Sequence, residues 1–141
     1  MLKGIDPRIS AELISVLAEM GHGDELVICD RNYPAISNAQ RHISYVSSSV
    51  EEVLKLVLKL FPLDTFVEAP LIRMEVAGSP GQVTDGQKAV HSVAMEIEGR
   101  KFEMASLSRE DFYERAAKAY ATVSTSDDQP YCCFVLVKGV I

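Results

Sequence analysis

The apolar residues of this 141-residue chain change their spacing repeatedly. Segments of helical period alternate with short apolar runs, and that alternation constrains the fold more than any other feature. It predicts an α/β arrangement in which helices cover the faces of a sheet. Ser10-AELISVLAEM-Gly21 puts Leu13, Val16, Leu17 and Met20 on one helical face, with Ser10 as N-cap, Glu12 in the first turn and Gly21 as the stop. After the turn His22-Gly23-Asp24, Glu25-LVIC-Asp30 reads as a buried strand. Residues 31–40 read as a loop, and His42-ISYV as a second strand. Ser49-V-E-Glu52 forms a capping box before VLKLVLKLF, an amphipathic helix that Pro62 stops. Leu71-IRMEV, Phe102-EMASL, Ala121-TVST and Tyr131-CCFVLV supply four more strands. Helices are predicted over about Thr84 to Ile97 and, after a Ser108 cap, over FYERAAKAY. The expectation is a mostly parallel sheet of about six strands with helices on both faces, in a single domain spanning 1–141.

Composition narrows the function. Fourteen basic and 20 acidic side chains leave a formal charge of −6, and no basic cluster occurs. Nucleic acid and anionic membrane are therefore not expected partners. No apolar run approaches the ~20 residues that cross a bilayer, and MLKGIDPRIS lacks the apolar core of a signal peptide. The cysteines, Cys29, Cys132 and Cys133, are odd in number, and two are adjacent, which disfavours pairing. With no C-x-x-C or zinc spacing, free buried thiols in a reducing cytoplasm are the simplest reading.

Ligand sites in such sheets lie at the carboxyl ends of strands and at helix N-termini. Asp30 closes the first strand; it reads as a turn cap or as a carboxylate placed for a polar ligand. His22, between two glycines, reads as a surface histidine at a helix end or as a group that trades protons with a ligand. Arg109 is a cation in the first turn of a helix, where the helix dipole disfavours it, so an acid or a polar ligand nearby would explain it. Tyr131 opens the last strand and can offer a hydroxyl. His42 and His91 read as structural. His22, Asp24 and Asp30 match no zinc spacing, and Cys132-Cys133 continues into an apolar strand, so no metal is expected. Neither a phosphate-binding glycine loop nor a nucleophile elbow is present.

Several segments together resemble the RbsD/FucU family of sugar mutarotases. They are Met1-Leu2-Lys3-Gly4-Ile5 with Pro7, Leu17-AEMGHGDE-Leu26, Asp30-RNYP-Ala35, Phe112-YERAAKAYA-Thr122 and Lys138-Gly139-Val140. The likeness spans essentially the whole chain and is weakest over residues 76–104. Arg109 and the glycine after His22 look more like the fucose branch than the ribose branch. The resemblance implies an RbsD-like fold and a cofactor-independent enzyme that interconverts the α and β anomers of a free monosaccharide, L-fucose or a related sugar. It puts the proton donor at His22 and substrate contacts at Asp30, Arg109 and the Tyr131-Cys132-Cys133 segment, where Cys133 stands in place of the usual Asn. It also implies a ring-like homo-oligomer, commonly a decamer, with the site near a subunit boundary.

In this reading His22 protonates the ring oxygen while Asp30, Arg109 and Tyr131 hold hydroxyls, with Asp24 as a candidate to orient the imidazole. It requires His22 to face a cavity shared with Asp30 and Tyr131. Two alternatives remain: a non-catalytic sugar-binding accessory of an uptake or catabolic system, and a metal-dependent hydrolase built on His22, Asp24 and Asp30.

Overall fold

The computed structural model describes residues 1–141. In chain order the elements are α1 (Ala11–Glu19), β1 (Glu25–Cys29), α2 (Ala35–Asn38), β2 (His42–Tyr45), α3 (Val50–Val57), β3 (Leu71–Met74), α4 (Asp85–Glu98), β4 (Met104–Leu107), α5 (Arg109–Lys118), β5 (Ala121–Thr125) and β6 (Phe134–Val137). The six strands form one sheet in the order β2-β5-β1-β6-β3-β4. β1 pairs parallel with β5, β5 with β2, and β3 with β4. β6 alone runs the other way, antiparallel to both β1 and β3. The expected mostly parallel sheet is therefore present, with one reversed strand near its centre. All four β6 residues are buried, as their unbroken apolar run requires of a strand covered on both faces.

Strand side chains alternate between two cores. On one face Leu26, Ile28, Leu71, Phe134 and Leu136 pack with Leu13, Val53, Leu54 and Val90 of α1, α3 and α4. On the other, Val27, Cys29, Ile72, Cys133 and Val135 pack with Phe112 and Ala116 of α5 and with Tyr33 and Ala35. The helix starts read from sequence hold. Ser10 Oγ accepts from the Leu13 N–H at 3.1 Å, Ser108 Oγ from that of Asp111 at 3.2 Å, and Ser49 and Glu52 form the full capping box.

Beyond shifts of a few residues at other element ends, four departures from expectation stand out. α1 ends through an extended Met20 rather than a left-handed Gly21; Gly23 takes the positive φ, 84°. The cause is distant in sequence: the Lys138 ammonium donates to the Leu17 and Met20 carbonyls, which satisfies orphan acceptors of the helix end without a glycine cap. α3 stops at Val57 and leaves through turns, short of Pro62. The loop of residues 31–40 contains α2, a single short turn of helix that buries Ala35. β6 starts at Phe134 because Tyr131 is left-handed, with φ 59°.

Candidate active site

Asp30 follows β1 at its carboxyl end, and its carboxylate is buried. One oxygen, Oδ1, accepts from the backbone N–H of Asn32 at 3.0 Å and of Tyr33 at 3.2 Å, the turn-capping geometry that a short acidic side chain favours. The other, Oδ2, accepts from the Cys132 N–H at 3.2 Å and from the Cys133 thiol at 3.4 Å. Asp30 thus ties β1 to the entry of β6. Four donors fix its direction, which addresses both readings of the sequence: it caps a turn and also lines a cavity.

That cavity, about 220 Å³, is bounded by Asp30, Asn32, Tyr33, Met74, Arg109, Tyr113, Pro130, Tyr131 and Cys133. It is smaller than the ~300 Å³ at which sites for drug-sized ligands begin, so it suits a small molecule. Asp30, Arg109, Tyr131 and Cys133, singled out from the sequence, therefore converge. Cys132 contributes its backbone N–H to Asp30, while its side chain belongs to the opposite core. Arg109 projects from the first turn of α5 with 58% of its side chain exposed, and its only ion pair is a 3.4 Å contact with exposed Glu110. Its guanidinium is free to meet a ligand.

The thiols here are not nucleophiles. Burial pushes the Cys133 pKa well above its ordinary value, reinforced by the nearby charge of Asp30. Cys132 is pushed up to about 12, first by burial and then by Asp127 and Asp30. Protonated thiols this deep pack as small apolar groups and weak donors.

Sequence reasoning missed three lining or supporting residues. Tyr33 and Tyr113 meet edge to face, with centroids 5.1 Å apart, along one side of the cavity. Tyr33 is pushed up to about 12 by burial, against the hydrogen bond from Asn38. Gln87 is fully buried; its amide nitrogen donates to the carbonyls of Met74 at 2.8 Å and of Tyr131 at 2.9 Å, while its oxygen accepts from the Thr84 N–H. This one side chain caps α4 and pins the strained backbone of Tyr131. A Thr-x-x-Gln pattern at residues 84–87 was available as a capping signal; its second role was not.

His22 lies elsewhere. It sits in the α1–β1 loop, at the opposite end of β1 from Asp30. A strand rises ~3.3 Å per residue, so roughly 20 Å separates the two ends. His22 lines a different cavity, about 540 Å³ and largely apolar, with Ile14, Met20, Pro62, Lys138 and Ile141. The expectation of one cavity shared by His22, Asp30 and Tyr131 is not met within a single chain. The physical reason is simple: residues flanking a strand end up a strand's length apart. The same geometry keeps His22, Asp24 and Asp30 from converging on a metal.

Asp24 does not orient the imidazole either. Its Oδ2 accepts from the Gly21 N–H at 2.7 Å and closes the loop. The partner of His22 is Asp64, which no sequence motif announced: His22 Nε2 and Asp64 Oδ1 lie 3.1 Å apart. The ring is 47% exposed and the carboxylate only 3%. Burial alone would raise the Asp64 pKa, but the Phe66 N–H, the His22 ring and the Thr65 N–H outweigh it and hold the group below its usual value. Phe66, 74% exposed, leans on the imidazole with centroids 5.2 Å apart. The other two histidines are structural, as expected. His42 Nε2 meets Ser124 Oγ at 2.7 Å, and His91 Nε2 the Phe102 carbonyl at 2.8 Å.

Residues 3–141 match the model of the RbsD/FucU transport protein family. The chain is 39% identical to an L-fucose mutarotase of Histophilus somni, with 99% of this chain and 97% of that one covered. It is 40% identical to the fucose mutarotase of Homo sapiens, covering 99% and 94%. The fucose mutarotase of Streptococcus pneumoniae, solved in complex with L-fucose, superposes with a TM-score of 0.86 at 38% identity over 99% of each chain. Full-length matches at this identity, on the same sheet, leave one conclusion: the chain belongs to the RbsD/FucU family.

Proposed function

We propose that this protein is a mutarotase that interconverts the α and β anomers of L-fucose or a closely related free monosaccharide. The observation that carries the reading is its full-length likeness to fucose mutarotases at about 40% identity. The small cavity around Asp30 supports it. A buried carboxylate, a free guanidinium and three phenols offer acceptors and donors to a sugar's hydroxyls. A sugar is uncharged, so one carboxylate and one guanidinium in the cavity leave no net charge to be compensated.

Chemically, the C1–O5 bond must open and close. An imidazolium gives its proton to O5 as the bonding pair moves there, and the anomeric hydroxyl gives its proton to solvent as C1=O1 forms. Rotation about C1–C2 and the reverse transfers close the ring on the other face. Each proton returns, so no cofactor is consumed. General acid–base assistance of this kind contributes roughly 10²–10⁴-fold.

His22 is the proton carrier in this proposal, and it reaches the sugar from a neighbouring protomer. A chain that keeps its histidine and its sugar cavity at opposite ends of β1 can unite them only by placing one copy's loop at another's cavity. Exposed Phe66, Val67, Val140 and Ile141 around the His22 face supply apolar surface for such a contact. A head-to-tail contact of this kind repeats, and with a rotation that closes it makes a ring-like oligomer such as a decamer. The working unit is then a ring of identical 141-residue domains, and its free thiols suit the cytoplasm.

The test is NMR saturation transfer between anomer signals for fucose, ribose, galactose and rhamnose, with His22→Ala and Asp30→Ala assayed singly and after co-refolding. Exchange faster than in buffer, lost in each variant and restored to about a quarter of wild type in the mixture, supports a shared site built from two copies. Binding without exchange assigns the protein to a sugar-carrying accessory role instead.

A further inference from the structure

The strongest unassigned feature is the buried carboxylate behind His22. We propose that Asp64 is a positioning residue that holds the proton of neutral His22 on Nε2, so that Nδ1 is the atom that exchanges protons with the sugar. This rests on the mutarotase reading of His22.

The backbone brings the two groups together. Val137, which ends β6, and the two residues after it hold two loops at once. On one side the Lys138 carbonyl accepts from the Gly23 N–H at 2.8 Å, and the Lys138 N–H donates to the Asp24 carbonyl at 2.9 Å. On the other the Asp64 N–H donates to the Val137 carbonyl at 3.0 Å, and the Gly139 N–H to the Pro62 carbonyl at 2.8 Å. The loop that carries His22 and the strap that carries Asp64 are thus registered against the same three residues. Gly139 is what permits the close approach. A Cβ there would lie 2.8 Å from both Asp64 Cα and the Leu63 carbonyl oxygen, and those are backbone atoms with no free end to swing away. On its far side the strap is tied by Arg100, whose guanidinium donates to the carbonyls of Leu63 at 3.3 Å and Asp64 at 3.0 Å.

The chemistry follows from the donors and acceptors. An ionised carboxylate can only accept. Asp64 Oδ1 already accepts from the Phe66 N–H at 3.2 Å, which fixes its direction, and Nε2 of His22 lies 3.1 Å from the same oxygen. That contact is a hydrogen bond only when Nε2 carries a proton. The neutral ring therefore keeps its lone pair at Nδ1, and the charged ring donates from Nδ1. The other charged groups near this face are engaged: Asp24 on the Gly21 N–H, and the Lys138 ammonium on the carbonyls that end α1. Asp64 is thus the anion placed to hold the ring. In the reaction the Nε2 proton stays in place while the Nδ1 proton moves to O5 and back.

The test is ¹⁵N NMR of the imidazole in the intact wild-type oligomer and in Asp64→Asn, beside exchange kinetics at varied sugar. The expected wild-type result is a neutral ring protonated at Nε2. In Asp64→Asn, whose amide can donate as well as accept, the ring shifts toward the Nδ1-protonated form, and kcat falls about 10–100-fold with KM within twofold. Gly139→Ala, which displaces the strap without touching either side chain, should lower kcat in the same way. A wild-type ring protonated at Nδ1, or an Asp64→Asn enzyme with unchanged tautomer and kcat, overturns the role of Asp64. The wild-type measurement decides even where a variant fails to fold. Failure of the wild-type protein to catalyse exchange, with an Nε2-protonated ring, would reject the mutarotase reading instead.

Discussion

The two ends of β1 solve opposite problems. At the carboxyl end, Asp30 is buried, four donors fix it, and it lines a small cavity formed within one chain. At the amino end, His22 is half-exposed, and only its rear atom is fixed, by a carboxylate almost wholly buried. In the proposed mutarotase the first end receives the sugar, and the second presents the proton carrier. A binding site gains from having its polar groups oriented before the ligand arrives. A proton carrier needs one nitrogen anchored and the other free. On that proposal, one strand serves two roles without the residues meeting in one copy.

Breaking the presenting end should have the largest effect. His22→Ala is expected to lower the rate of anomer exchange by roughly 10²–10⁴-fold, while calorimetric titration still detects sugar bound at the Asp30 end. Breaking the receiving end costs more of the fold. Asp30→Ala strands the backbone N–H groups of Asn32 and Tyr33 and the N–H of Cys132, so it should abolish sugar binding and destabilise the chain by about 1–3 kcal/mol, read from urea midpoints. A result in which Asp30→Ala binds sugar normally would remove the contrast between the ends.

Cys133→Asn sharpens the comparison with less force. It restores an amide beside Asp30 and should tighten L-fucose binding by about fivefold, the scale of one net hydrogen bond; unchanged affinity for every sugar tested would mean the thiol position does not contact the ligand. The thiols also separate the ends by pH. Burial raises the pKa of Cys133 above the ordinary 9.0, so the folded state keeps a proton that the unfolded state loses. The stability this brings is fully present below pH 9.0 and declines as pH rises beyond it. Thermal melts at rising alkaline pH should show that decline, and it should weaken in Cys133→Ala. The smallest effect lies away from both ends: Ser49→Ala removes one half of the α3 capping box and should cost about 1 kcal/mol, leaving exchange per folded molecule unchanged.

Much of this molecule was legible in its sequence because the relevant physics is local. Apolar spacing determined the helices and strands. Ser10, Ser49 and Ser108 marked helix starts, and the unbroken FVLV run announced the central strand β6. Asp30 could be read because an acid that closes an apolar strand has few local uses. What the sequence did not contain is which distant segments meet. Gly21 looked like the stop of α1, yet Lys138 made that stop unnecessary. Asp24 looked like the partner of His22 because it is two residues away, yet Asp64, 42 residues on, fills that place. Gln87 gave its capping role away but not its hold on Tyr131. Periodicity and capping act over three or four residues, so a chain displays them along its length. Partnership between a ring and a carboxylate is decided by sheet order, and sheet order exists only once β6 has inserted between β1 and β3.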